Sequence, residues 1–432
     1  VSGLAERNGG RAGIAALAVI LTLGLGLRAS EAWNGRAPVF DAAAYATIAA
    51  NLDRGEGFTL GTEATQPASN YSPGIPLLTA GVYKIAGGAH ERSARLLLAL
   101  LGTLAVLFTY LIGRRLSGPP AGLIGAAAIA IYPALLEYQG MPMGEPLAAA
   151  LLAGAVLAVL WAAGSTARSR WLLPGALFGC LALVRPEYLG VAILVSLVVL
   201  LRNGRREWSR TWVQALLLLA GVAMIVAPWT VRNAIALDRF VPVSTGGGQV
   251  LFAGTYLPSD GDPEKVGAEV VERHPGLFGP QAVQRLRLEQ ILARLAEQRY
   301  PGMETDRALS RMGKEQLWDD VSEEPLEYAG FVATKVGRIW SYGPRNVMRE
   351  PGWELLHWAL VVFGLIGLAV LAAQRRWEAL LIATIFLAIT AISALLVASP
   401  RRVLVMMPLV AALAGVGVNA SWRLVSRGRT SL

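Results

Sequence analysis

Long apolar runs and short charged clusters alternate along this chain from one end to the other. Several runs extend for about 18 residues without a charge, enough for a helix to cross a hydrocarbon layer of about 30 Å. Helices are the form such runs take in lipid, because an apolar solvent offers no partner to an unpaired backbone group. The runs are rich in Leu, Ala and Val and do not alternate with polar residues, unlike the short strands of an outer-membrane barrel. The pattern predicts about ten spans, near 13–28, 93–113, 120–136, 145–163, 171–184, 187–201, 212–229, 354–373, 378–397 and 402–419. The pair 171–184 and 187–201 is short on both sides of Arg185-Pro186-Glu187, where one long kinked helix is the alternative. The fold class is therefore all-α: a polytopic membrane bundle with interfacial helices and a small outer domain.

Two segments between spans are long. Residues 30–92 hold an acidic, partly amphipathic stretch from Asp41 to Asp53, then an apolar one from Pro73 to Ala86 that is too short to span. The second is expected to lie at the interface or to re-enter the bilayer. Residues 230–353 include QAVQRLRLEQILARLAEQRY (281–300), whose apolar positions fall at helical spacing between charges and predict one amphipathic helix. The chain thus divides into 1–229, a transmembrane module with the 30–92 loop, 230–353, an outer domain, and 354–432, the last helices and tail.

Composition agrees with this division. The 432 residues are 54% hydrophobic and 16% charged, and a soluble protein carries closer to a quarter charged. A net charge of +9 raises the question of nucleic acid, but the basic residues sit in clusters between apolar runs, as topology signals do. With the N-terminus (Arg7, Arg11) in the cytoplasm, alternate loops hold Arg114 and Arg115, Arg168 and Arg170, Arg202, Arg205, Arg206 and Arg210, then Arg375 and Arg376. The tail holds Arg423, Arg427 and Arg429. Both termini are then cytoplasmic. The first apolar run reads as a retained helix, having no small-residue cleavage site directly after a short apolar core. Cys180, the single cysteine, lies within an apolar run and has no partner for a disulfide.

The residues that break the orientation rule point to chemistry. Arg185, Arg232, Arg401 and Arg402 fall at the outer boundary, where ionisable groups are often functional. Guanidinium groups at headgroup level suit a phosphate in charge and geometry; snorkelling, or pairing with Glu187, is the plain alternative. Asp41 opens a helical pattern, so it reads either as an N-cap or as a general base. Glu145 opens the fourth span and reads either as a first-turn acid or as a site residue. Tyr45, Trp229, Trp340 and Trp353 read first as interfacial aromatics. His90, His274 and His357 share no metal-ligand spacing, and Gly246–Gly248 lacks the lysine of a phosphate loop. The energy of any reaction must then arrive with an activated substrate.

Several motifs, taken in order, resemble those of bacterial polyprenyl-phosphate-dependent glycosyltransferases of the GT-C fold, the group of protein O-mannosyltransferases and lipid A aminoarabinose transferases. They are Asp41 with Tyr45, YSPGIPLLTAGVYKIAG (71–87), RSARLLLALLGTLAVLFTYLIGRRL (92–116), YPALLEYQGMPMGEPL (132–147), LVRPEYL (183–189), APWTVRNAIALDRFVPVSTGGG (227–248) and KVGRIWS (335–341). The resemblance implies a GT-C-type bundle and transfer of a sugar from polyprenyl phosphate to a glycan, lipid or protein acceptor. Transfer would occur on the outer face of a bacterial plasma membrane, with inversion. It implies Asp41 as catalytic base with Glu145 in the site, and Arg185, Arg232, Arg401 and Arg402 on the donor phosphate. Tyr45, Tyr71, Ser72, Glu187 and Asn233 become candidate substrate contacts. Two departures stand out: Ala42 follows Asp41 where the family often has Glu, and Tyr71-Ser72 precede the Pro-rich segment where many members carry a basic residue. Phosphate contact there falls to Lys84 or is absent. Some GT-C enzymes use a divalent cation; no carboxylate cluster stands out for one here, and no cofactor is expected. Rival readings are a lipid or sugar-lipid flippase, which would place polar groups at the bilayer midplane, and a non-catalytic subunit of glycan assembly.

Overall fold

A computed structural model describes residues 2–61, 66–204, 207–262, 264–279, 281–341 and 346–430. Arg205 and Arg206 of the basic loops lie outside the described residues. Each run predicted to span falls on a helix. Seven of these are long and apolar enough to cross a membrane, and an eighth crossing forms if one bent pair counts as a single span. The seven lie in α1 (Ser2–Asn34), α4 (Glu91–Ser117), α7 (Glu145–Ala163), α10 (Trp208–Leu237), α17 (Pro351–Ala373), α18 (Trp377–Leu395) and α19 (Arg401–Thr430). The bent pair is α5 (Pro119–Ala130) and α6 (Pro133–Glu137), which meet at a break of 50°. Arg28, fully buried in α1, donates to the Ile129 and Ala130 carbonyls at 2.9 and 3.0 Å and so satisfies the backbone that the break sets free.

The expectation of ten full spans needs correction at α8 (Leu172–Val184) and α9 (Tyr188–Leu201), which have 13 and 14 residues. At about 1.5 Å per residue each is about 20 Å long, short of a bilayer core. They form a hairpin rather than one kinked helix. Gly175 packs on Leu218 and Gly221 and Gly179 on Val222 and Ile225, so α8 runs parallel to α10. Arg202, just past the end of α9, bonds Gln214 near the start of α10 and stacks over Trp171 at the start of α8. The hairpin tip, Arg185-Pro186-Glu187, is therefore held at the end of the bundle where α7 and α19 begin.

Between α1 and α4 run α2 (Asp41–Asp53), a ladder of two-residue strands β1 (Thr59–Leu60) and β2 (Gln66–Pro67), and α3 (Gly74–Ala86). The apolar stretch from Pro73 is thus a separate 13-residue helix. At its start Gly74 lies so close to α8 that a Cβ there would stand 2.6 Å from the Val184 side chain, so glycine lets α3 reach the hairpin tip. The seventh span does not stop near residue 229; α10 continues to Leu237 through an internal Pro228.

After α10 the chain builds a second, smaller core from α11 (Gly247–Thr255), α12 (Val266–Arg273), α13 (Ala282–Arg285), α14 (Leu288–Arg299) and α15 (Thr305–Glu323). Phe252, Val270, Leu292 and Leu309 are among its buried side chains. The single amphipathic helix expected over 281–300 is broken at 286–287. Arg287 is extended, and its N–H donates to Gln290 Oε1 at 2.9 Å, which starts a new helix there. Finally α16 (Pro325–Ser341) returns the chain to the bundle. Its Trp340 carbonyl lies 2.8 Å from Nε2 of His357 in α17, whose Nδ1 lies 2.8 Å from the Tyr132 hydroxyl at the α5–α6 break.

Candidate active site

Four helix ends converge at one end of the bundle: the starts of α2, α7 and α19 and the tip between α8 and α9. Phe40 takes a φ of 49°, a region that side-chain-bearing residues rarely enter, and turns the chain so that Asp41 is the first residue of α2. The N-cap reading of Asp41 is not observed. Phe40 holds that position and no side chain caps the helix, while the Asp41 carboxylate faces Arg401 at the start of α19.

The convergence makes a chain of alternating charge. Arg401 Nη1 lies 3.0 Å from Asp41 Oδ2, and Arg401 Nε bonds Glu145 Oε1. The same Glu145 oxygen receives Arg185 Nη2 at 2.8 Å. Arg185 Nη1 then lies 3.6 Å from Glu187 Oε1, and Arg402 Nε reaches that oxygen at 3.5 Å. Arg402 also donates to the Val397 carbonyl. Three guanidinium groups and three carboxylates therefore balance.

Such an arrangement is costly to bury unless each charge is paired, and removal of one partner exposes the full desolvation cost of the other. The pairing is incomplete in one respect. Glu145 Oε2, Arg185 Nε and the Tyr188 hydroxyl are buried with no hydrogen-bond partner among the described residues. Exposure is graded: the Glu145 side chain is fully buried, Arg185 and Arg402 are nearly so, and Arg401 and Asp41 are 32% and 43% exposed. An incoming group would meet Asp41 and Arg401 first.

These side chains line a cavity of about 300 Å³ together with Tyr45, Ser72, Pro186, Val250, Val397 and Ser399. Burial holds the Tyr45 hydroxyl well above its ordinary pKa, and the Asp41 charge adds to the shift, so it stays a neutral donor. Tyr71 packs edge-on against Tyr45 with ring centroids 5.9 Å apart and so backs the wall.

Four of the residues picked from sequence do not line the cavity: Tyr71, which stands behind Tyr45, and Arg232, Asn233 and Lys84, which lie apart from it. Arg232 stacks over Trp229 at 4.9 Å and Phe58 at 5.5 Å and bonds Asn233 Oδ1. Asn233 is buried and donates to the Val241 and Val243 carbonyls, tying the end of α10 to the chain that follows it. Lys84 lies exposed in the last turn of α3. A position at the outer boundary does not fix where a guanidinium points, and here aromatic rings take it.

Residues that sequence reasoning passed over stand close by. Tyr138, in the YPALLEYQG motif, lies under Arg401 at 5.9 Å. Lys335 in α16 is buried, donates to the Gly254 carbonyl at 2.6 Å and sits over the Phe331 ring. Burial pushes its ammonium down to about 8, and the Arg402 charge adds to this. Its sequence signal was its place at the head of the KVGRIWS motif (335–341), where a lysine reads equally as a solvated helix face. Among the described residues no group of three or more His, Cys, Asp or Glu gathers as ligands for a metal, and guanidinium groups separate Asp41, Glu145 and Glu187 from one another.

A crystal structure of the Archaeoglobus fulgidus oligosaccharyltransferase superposes over 97% of this chain with a TM-score of 0.57 at 15% identity. This chain has the GT-C fold. A second structure of that enzyme, archaeal AglB with an inhibitory peptide and a dolichol-phosphate, matches equally, at TM-score 0.57, 15% identity and 97% coverage. The GT-C chain described here spans about half the length of AglB, 51% of it. ArnT from Cupriavidus metallidurans bound to undecaprenyl phosphate gives a TM-score of 0.39 at 15% identity, over 96% of this chain and 78% of that one. Residues 68–231 match the family model of dolichyl-phosphate-mannose-protein mannosyltransferases. That region carries Ser72, Glu145, Arg185 and Glu187, whereas Asp41, Arg401 and Arg402 lie outside it. No curated protein matches the chain. Fold and span composition together make it a multi-pass membrane protein.

Proposed function

We propose that the protein is a membrane glycosyltransferase that moves a sugar from a polyprenyl phosphate to an acceptor at the cavity lined by Asp41, Glu145, Arg185, Arg401 and Arg402. The observation that carries this reading is Arg401, whose one guanidinium is shared between the half-exposed Asp41 and the buried Glu145. A donor phosphate entering the cavity can take the place of Asp41 on Arg401, which frees the carboxylate beside the reacting carbon. Asp41 then takes the proton from the acceptor hydroxyl or amine as that atom attacks the sugar. The bond from the sugar to the phosphate oxygen breaks, and polyprenyl phosphate leaves as an anion. Negative charge grows on it in the transition state, and Arg401, Arg185 and Arg402 are fixed in a water-poor pocket to stabilise it. Attack opposite the leaving group gives inversion.

Glu145 is read as a positioning residue, since its carboxylate is spent on two arginines. Glu187 does the same for Arg185 and Arg402. Tyr45 and Ser72 line the cavity as contacts for the sugar or acceptor, and α11 brings Val250 from the 238–341 region to the same wall. Because each carboxylate already faces a guanidinium, turnover is expected to need no divalent cation. The site is assigned to the outer face of a bacterial plasma membrane and both termini to the cytoplasm. The arginine-rich loops gather at the opposite end of the bundle, where Arg202 stacks on Trp377 and Arg376 bonds the Leu116 carbonyl.

A carrier is disfavoured because the ionisable cluster sits at the helix ends rather than at mid-span. The experiment is transfer of labelled sugar from a polyprenyl-phosphate donor to an envelope extract by the purified protein in proteoliposomes, with and without a chelator. Labelled product in the wild type and its absence in Asp41→Asn support the reading. Equal labelling in both contradicts it.

A further inference from the structure

We propose that the bundle binds one anionic phospholipid at the end away from the charged cavity, its acyl chain lying among α4, α7 and α8 and its phosphate on Arg114 and Arg115. A groove of about 580 Å³ lies there, nearly twice the volume of the active-site cavity. Its walls are apolar and include Phe108, Leu157, Leu173 and Leu177. Gly154 forms part of it, where a Cβ would stand 3.0 Å from the Phe108 ring. Trp161 and Leu173 are 46% and 47% exposed, so the groove opens sideways toward the bilayer. An acyl chain is what a bilayer offers to such a shape.

Charge selects the headgroup. Arg114 and Arg115 stand at the end of the groove, both exposed. Arg115 spends one N–H on the Leu160 carbonyl at 3.0 Å, and Arg114 has no ion pair among the described residues. Arg170 lies over the Trp161 ring at 4.3 Å, which adds a third positive charge to the same rim. No Asp or Glu occurs from Arg92 to Leu136 or from Pro146 to Pro186; the glutamates of α4 and α7, Glu91 and Glu145, are their first residues and stand at the opposite end of the bundle, so the groove end carries no carboxylate from its three helices. Glu378, whose partner Arg376 reaches the end of α4 at the Leu116 carbonyl, is held by that arginine at 2.8 Å. A net-negative headgroup satisfies this field. A zwitterionic one brings its own cation into it.

The test is native mass spectrometry of the full chain released from nanodiscs of phosphatidylcholine with and without phosphatidylglycerol. Wild type is expected to retain one phosphatidylglycerol in preference to phosphatidylcholine. Arg114→Gln, at an exposed position, is expected to weaken that preference by about tenfold, worth about 1.4 kcal/mol. Leu173→Trp fills the groove without a change of charge and is expected to abolish retention of either lipid. Equal retention of the two lipids by wild type, wild-type behaviour of both variants, or recovery of a polyprenyl lipid from the groove would overturn the proposal. Loss in Leu173→Trp with no effect of Arg114→Gln would contradict the assignment of the phosphate to the arginines.

Discussion

Arginine gathers at both ends of this bundle, and the two ends use it differently. At the far end the guanidinium groups bond to helix carbonyls or lie on tryptophan, with Arg115 on Leu160, Arg170 on Trp161 and Arg202 on Trp171, and Arg376, on the Leu116 carbonyl, keeps Glu378 as its single acidic partner. At the site end Arg401, Arg185 and Arg402 are threaded through Asp41, Glu145 and Glu187, and none is neutralised by one private partner. Arginine on a carbonyl or a ring terminates a helix and sets orientation. Arginine shared between carboxylates at a cavity wall can exchange one of them for another anion, which is the behaviour a donor phosphate requires.

The contrast can be broken by substitution. The largest effect is expected for Asp41→Asn, which keeps shape and removes the base; turnover should fall by about 10²–10⁴. Because Asp41 is half-exposed, its thermal unfolding should stay near that of wild type. Glu145→Ala comes next, since it leaves Arg185 and Arg401 facing each other without the buried acid between them. A cost of about 3–5 kcal/mol in unfolding is expected, read as a lowered midpoint in a detergent melt. A far-end change, Arg115→Ala, removes a bond to the Leu160 carbonyl and should cost about 0.5–1.5 kcal/mol.

A smaller effect concerns Lys335, which supports the site from behind. Its folded pKa lies near 8, below the ordinary 10.5 of the unfolded chain. Between those values the unfolded state holds a proton that the folded state has released, so stability should rise with pH across that window and be lowest below it. Lys335→Met should flatten the rise, as measured by unfolding at pH 7.5 through 10. Smallest of all, Arg232→Ala should leave turnover near wild type and cost about 0.5–2 kcal/mol for the lost stacking on Trp229 and Phe58. A collapse of turnover in that variant would return Arg232 to the site.

The span pattern was legible because length and apolar composition are properties of single segments. The α8–α9 hairpin was not, because two helices of 13 and 14 residues cross only as part of a packed group, and packing against α10 decides their direction. Arg185, Arg401 and Arg402 were visible as charges at the boundary where topology disfavours them. The same signal raised Arg232, whose side chain aromatic neighbours hold away from the cavity. Val250, Val397 and Ser399 also line the wall, and nothing local marks an apolar or small residue as a wall. The N-cap reading of Asp41 was overturned by the backbone, since the turn at Phe40 puts it inside the helix rather than at its cap.

Whether Arg401 holds the donor phosphate while Asp41 transfers the proton is decided by the binding of polyprenyl phosphate to purified wild type, Arg401→Gln and Asp41→Asn. Asp41→Asn is expected to bind as well as wild type or better, because the competing carboxylate is gone, and Arg401→Gln to bind more weakly. Undiminished binding by Arg401→Gln, or binding lost in Asp41→Asn, would contradict this division of roles.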